Sequence, residues 1–245
     1  MPEIFPNAPI VEALVDFKVG FSHSVDFEQL KKFANALGDP YTEPVTTKQL
    51  SAGIHVSETE PPSVEVESHE QGLILRTKIN DRAIQVRRDG FSFSTLKPYK
   101  QWENTRDEAK ENWFRYKEFL RPSSVKRLAL RYINRIELPL PLSDFREYVR
   151  TCPEVAPGIP QAVSNFFFRV VLPDPKTGAW ANIISTLAVP EDEKSVPLIL
   201  DIDVFFQKSY EVDSEDLWAD LEKLRVFKNQ IFFSSITENA RELFR

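Results

Sequence analysis

A strand-like segment followed by a helix headed Asp-Phe occurs twice in this chain of 245 residues. The first copy is residues 11–19 with Asp26-Phe27, and the second is residues 128–138 with Asp144-Phe145. Each copy runs on through strands and polar turns into a long helix bearing a tryptophan, Trp102 in one and Trp218 in the other. The offsets agree: 118 residues separate Asp26 from Asp144, and 116 separate Trp102 from Trp218. A unit that recurs at a constant offset presents the same faces for burial in both copies. The expectation is one compact, pseudo-symmetric unit made of repeats 1–122 and 123–245.

Within the first repeat, Val11, Ala13, Val15, Phe17 and Val19 share one face, while Glu12, Leu14, Asp16 and Lys18 share the other. This period of two predicts a strand with one apolar side. Phe27, Leu30, Phe33, Ala34 and Leu37 make a helical stripe stopped by Gly38. Residues 39–63, rich in Pro, Thr, Ser and Glu, read as a long connection with a short strand near 54–56. A meander follows over residues 64–68, 73–79, 82–88 and 91–96, turned at Asn80-Asp81 and Asp89-Gly90, whose residues tolerate positive φ. A helix over 99–120, ended by Pro122, presents Trp102, Ala109, Trp113, Tyr116 and Leu120 inward.

The second repeat keeps the order. Leu128, Leu130, Tyr132, Asn134 and Ile136 alternate with Arg127, Ala129, Arg131, Ile133 and Arg135. A short helix is expected after Ser143 or Asp144. Strands follow at 165–172, 180–189 and 197–206, then a helix from about residue 213 with Leu217, Leu221, Leu224, Phe227 and Ile231 inward. Strand, helix, antiparallel meander and long helix, twice over, predict an α+β fold with helices on one side of curved antiparallel sheets. TATA-binding-protein-like and helix-grip folds have that element order.

Composition excludes several chemistries. Cys152 is the only cysteine, so no intrachain disulfide or multi-cysteine zinc site can form. His23, His55 and His69 are the only histidines, and no two stand at helical ligand spacing. The seven glycines are scattered, each where a turn or helix end would want one, and form no phosphate-cradling motif or nucleophile elbow. No cofactor is expected. No apolar run approaches the length that crosses a bilayer, and the first residues lack a secretory pattern, so a cytoplasmic protein is expected.

Charge is segregated. Residues 1–70 carry 4 basic and 12 acidic side chains, residues 71–136 carry 16 and 7, and residues 137–245 carry 11 and 18. A basic middle between acidic flanks is either an anion-binding face or one part of a fold that attracts the others.

Asn7-Ala8-Pro9-Ile10-Val11-Glu12-Ala13 and Leu130-Arg131-Tyr132-Ile133-Asn134-Arg135-Ile136 resemble motifs of a sporadically distributed bacterial family of uncharacterised proteins of about this length. The helix starting near Trp102 and the closing segment 236–241 are similar too. That family's first strand often ends in Arg or Gln, where this chain has Lys18. The resemblance implies a prokaryotic cytosolic protein and transfers no active site. The family's patchy distribution is similar to that of defence or toxin–antitoxin genes.

Three constellations carry potential chemistry. Arg131, Asn134 and Arg135 on the second repeat's first strand, with Glu12 and Asp16 on its counterpart, would meet where the repeats join. They would form either a polar seam that fixes docking or an anion site. Asp201 and Asp203 share a strand face as weak Mg²⁺ candidates. Arg76, Lys78, Arg82, Arg87 and Arg88, with Lys97 and Lys100, form a basic hairpin surface that could track a nucleic-acid backbone. The run Ile231-Phe232-Phe233 is greasier than one helix stripe needs, as core or as a partner surface. The leading expectation is a non-enzymatic protein-interaction or accessory component of a small gene module. The alternatives are a Mg-dependent enzyme or binder of phosphorylated small molecules, and a nucleic-acid binder.

Overall fold

The computed structural model describes residues 3, 5–55 and 63–245, with backbone alone for 49–55 and 63–69. The fold is α+β, built on one antiparallel sheet of nine strands. In chain order these are β1 (Ile10–Gly20), β2 (Val45–His55), β3 (Ser63–Arg76), β4 (Arg82–Arg87), β5 (Gly90–Leu96), β6 (Ser124–Pro139), β7 (Phe167–Pro173), β8 (Trp180–Leu187) and β9 (Ser195–Phe206). They lie in the order β2-β3-β4-β5-β1-β6-β9-β8-β7. The helices are α1 (Phe27–Leu37), α2 (Trp102–Leu120), α3 (Asp216–Ser235) and the short α4 (Glu238–Glu242).

The alternation in β1 and β6 sets the two faces. Leu75, Ile84, Phe93, Val15, Leu130, Val204 and Ala181 are successive cross-strand neighbours, and none is more than 1% exposed. This is the face the helices cover. Phe17 stacks on Trp113 of α2 with ring centroids 4.3 Å apart and meets Trp218 of α3 edge-on at 5.9 Å. α1 packs over β3 and β4, α2 over β5 and β1, and α3 over β6 and β9.

α1 forms as its sequence predicts. All five stripe residues are buried, and Gly38 leaves the helix at φ 61°, a conformation that favours glycine. Asp26 caps it reciprocally: Gln29 N–H donates to Asp26 Oδ1 at 2.8 Å, and Asp26 N–H donates to Gln29 Oε1 at 2.9 Å. Asp26→Ala is expected to cost about 1 kcal/mol in chemical denaturation, with an unchanged denaturant slope.

The structure departs from the sequence reading at several places. The sheet is single and continuous, because β1 pairs directly with β6. The region expected as a connection contains β2, an eleven-residue edge strand bonded only to β3. An edge strand needs no apolar pattern, and Val45 is exposed. Residues 54 and 55 of the expected short strand at 54–56 belong to β2, and residue 56 lies outside the described residues. β3 runs unbroken through Gly72, where a Cβ would lie 2.2 Å from the Val86 carbonyl oxygen. Gly72 therefore permits close backbone approach rather than a turn, and Gly53 likewise lies within β2.

The helix expected after Asp144 is only a 3₁₀ turn, Phe145–Glu147, although Asp144 does cap it by accepting from Arg146 N–H at 2.8 Å. The backbone beyond it is diverted to the C-terminal end of α3 and the residue pair after it. Arg150 N–H donates to Ser235 O, and Thr237 N–H donates to Tyr148 O. α3 begins at Asp216, not Asp213, whose carboxylate instead pairs with Lys117 of α2. No helix of the described residues is long and apolar enough to cross a membrane.

Candidate functional site

Among the described residues, no helix packs on the other face of the sheet, and its centre is charged. Asp16 projects there from β1, opposite Ser92 of β5 on one side and Ala129 of β6 on the other. Its Oδ1 accepts from Arg87 Nη2 at 2.5 Å and from Ser92 Oγ at 2.6 Å, while Oδ2 lies 3.3 Å from Arg127 Nη1. Arg127 reaches on to Asp203 Oδ2 at 2.7 Å, and its guanidinium lies 4.3 Å from the Phe205 ring centroid. Next to these, Arg131 grips Asp201 bidentately, Nε to Oδ1 at 2.8 Å and Nη2 to Oδ2 at 2.6 Å. Glu12 accepts from Ser94 Oγ at 2.7 Å. A polar seam therefore runs across β4, β5, β1, β6 and β9, where the first and second halves of the chain join.

The hydrogen bond to Asp201 raises the Arg131 guanidinium pKa further above its ordinary value. Burial pushes the Asp203 carboxyl up, against the opposing pull of Arg127 and Arg131. Each seam cation thus has an anion close by, as partly buried charges require.

Glu12, Asp16, Arg131 and Arg135 do share this face at the junction, but their partners are not one another. Arg131 pairs across to β9, and Arg135 pairs with Glu137 and Glu191. Asn134 does not belong with them. It lies on the opposite, helix-covered face, where Nδ2 donates to Leu200 O at 2.9 Å. Strict alternation along β6 already separates it from its arginine neighbours.

Asp201 and Asp203 share a face as expected, with their oxygens turned to Arg131 and Arg127 instead of converging on an open position. Among the described residues no group of three or more His, Cys, Asp or Glu is placed to hold a metal ion.

The basic hairpin residues divide. Arg82 lies on the helix-covered side, forked on Glu108 of α2 at 2.5 and 2.7 Å. Arg87 is bound into the seam. Lys78 pairs with Asp39, and Arg76 donates to Asn80. Arg88, Lys97 and Lys100 are exposed. The basic middle of the chain thus meets acids from both flanks, and little of it remains as a continuous cationic surface.

Sequence reasoning left two residues out of its constellations. Arg127 completes the seam, and its place on the same strand face as Arg131 and Arg135 was the available signal. Lys228 is only 8% exposed in α3. It falls on the stripe Leu217, Leu221, Leu224, Lys228, Ile231, at spacings of four, three, four and three, where Phe227 had been expected inward. Phe227 is half-buried instead. A lysine in register with an apolar stripe was legible as a buried amine.

Beside the seam, towards the β7 edge, the open face carries exposed apolar side chains around Arg169, whose Nε donates to Asn182 Oδ1 at 2.7 Å. Trp180 is the cross-strand neighbour of Phe205, and Val171 is that of Asn182, itself paired with Asp203. Phe167, Val171 and Trp180 are 68%, 46% and 41% exposed. The chain matches no protein-family model and no curated protein.

Proposed function

We propose that this chain is a non-enzymatic interaction protein that docks a protein partner on the open sheet face, at the apolar corner formed by β7, β8 and β9. The observation that carries the reading is that corner: large side chains exposed on an uncovered sheet, beside a seam whose charges are already paired. Large apolar side chains left exposed on one sheet face mark an interaction surface, and here Phe167 and Trp180 flank the Arg169–Asn182 hydrogen bond from opposite ends of the β7–β8 hairpin. β7 also ends the sheet, so its outer backbone groups offer an extended partner strand a hydrogen-bonding edge.

The scaffold reads as two copies of one unit. Supporting this, β1 and β6 sit side by side at the centre, and each pairs outward with the last strand of its own half, β5 and β9. Both halves then close with a long helix on the same face, and Asp26 and Asp144 both cap the first turn after their strand. This corresponds to a TATA-binding-protein-like duplication divided near residue 122, with a shorter second sheet half. The resemblance of residues 7–13 and 130–136 to the bacterial family supports a cytoplasmic accessory role in a small gene module, of defence or toxin–antitoxin type.

The test is co-expression with the products of adjacent genes, comparing wild type with the double variant Phe167→Asp/Trp180→Asp. A stoichiometric complex with wild type is expected, and the variant should lose it. Because both side chains are exposed, the unfolding free energy should move by no more than about 0.5 kcal/mol per site. No complex with wild type, or an undiminished complex with the variant, would count against the reading.

A further inference from the structure

The helix-covered side holds a cleft of about 160 Å³ between the N-terminal segment, the start of α2, β6 and α3. Its lining is largely apolar, with Phe5, Ile10, Phe232 and Phe233 on its walls. Cavities of about this size accept a single aromatic ring. Tyr99, Tyr132, Asn134 and Lys228 add polar groups to this lining.

Lys228 is what gives the cleft a chemistry. Its Nζ lies 3.8 Å from the centroid of the Tyr132 ring and donates to Asn229 Oδ1 at 2.6 Å. Among the described residues no carboxylate lies within ion-pairing distance of it. The neighbouring acids are otherwise engaged: Glu103 and Glu222 pair with Arg225, one turn earlier on α3, and Glu3 pairs with Arg241 and Arg245. Tyr99 and Tyr132 hydrogen-bond to each other at 2.9 Å, and burial raises both phenols, keeping them neutral. Lys100 and Arg225 line the same cleft. Arg225 is thus already paired and Lys100 is exposed, whereas Lys228 is a buried cation that lacks a carboxylate partner among the described residues, set against an apolar wall.

We propose that this cleft binds a small organic monocarboxylate with an aromatic or branched apolar body, its carboxylate on Lys228 Nζ and its body against Phe232 and Phe233. A buried ammonium without a counter-ion is costly, and a ligand carboxylate supplies one. The walls select the apolar body, and the small volume excludes nucleotides. Burial, with Arg225 adding like-charge repulsion, lowers the Lys228 amine to about 7. Near neutral pH a bound carboxylate therefore draws a proton onto it, so binding takes up protons from the buffer.

The experiment is calorimetric titration of the full chain with benzoate and phenylacetate, and with benzyl alcohol as the neutral comparison, at about pH 7.5 in phosphate and in Tris. At least one carboxylate should bind with net proton uptake, seen as a heat that differs between the buffers. It should bind at least about tenfold more tightly than benzyl alcohol, and Lys228→Met should weaken it by at least about tenfold. Equal binding of acid and alcohol, equal binding to wild type and variant, binding without proton uptake, or no carboxylate binding would each overturn the proposal. The buffer and alcohol comparisons use wild type alone, so they decide the matter even if the variant fails to fold. The site is on the opposite side of the sheet from the partner corner, so Phe167→Asp/Trp180→Asp should leave benzoate binding intact, and the two readings fail separately.

Discussion

Asp16→Ala is expected to lower the free energy of unfolding by about 3 kcal/mol, the range found when one partner of a buried ion pair is removed. Asp16 and Arg87 are each only 15% exposed as side chains. The aspartate accepts from Arg87 and Ser92 and faces Arg127. Without it, Arg127 still has Asp203, but Arg87 keeps only the half-exposed Asp89, at 3.7 Å. The loss falls on Arg87, whose guanidinium would be left partly desolvated without a close anion. If that is the cause, Arg87→Leu in the Asp16→Leu background should recover much of the stability, since an apolar pair can replace a buried ion pair at little cost. Urea denaturation of wild type, Asp16→Leu, Arg87→Leu and the double variant Asp16→Leu/Arg87→Leu gives the coupling energy, expected to be about 2 kcal/mol. Additive effects would mean that the two charges do not hold each other.

The seam shows what a sequence can and cannot carry. The alternation along β1 and β6 was enough to put Glu12, Asp16, Arg131 and Arg135 on one side, because side-chain direction in a strand depends only on parity. It could not say that Arg131 would be opposite Asp203 and reach Asp201. That contact depends on β9 lying beside β6, a matter of strand order that local pattern does not encode. The same limit explains Arg87, which read as part of a basic hairpin until β5 was laid against β1 and brought it to Asp16.

Elements fixed by local chemistry were legible, as with the capping pair and buried stripe of α1. β2 was not, since an edge strand that opens Val45-Thr46-Thr47-Lys48, a stretch with no apolar alternation, reads like the Pro-, Thr- and Glu-rich connection before it. The helix after Asp144 began with the right cap, yet its next carbonyls and amides were claimed by the last residue of α3 and the segment after it. Capping specifies where a turn can start, while tertiary pairing decides how far it continues.

Lys228→Met is expected to stabilise the protein, and to do so more at low pH than at high pH. The folded state holds this amine near pKa 7, below the ordinary lysine value of 10.5, chiefly because burial penalises the charged form. Below pH 7 both folded and unfolded states carry the proton, and the fold bears the whole cost of a buried ammonium. As pH rises from 7 to 10.5 the folded amine is already neutral while the unfolded one is still charged, so wild-type stability climbs relative to the variant. Methionine carries no charge at any pH and fits the same unbranched volume. The gain should therefore be about 3 kcal/mol near pH 6, after the lost hydrogen bond to Asn229 and the contact with the Tyr132 ring are set against it, and should approach zero near pH 10. Melting temperatures of both proteins across that range test it, because other titrating groups contribute equally to each and cancel in the difference. A gain independent of pH would assign the effect to packing, and a loss at pH 6 would mean that the ammonium is solvated or paired in the folded protein.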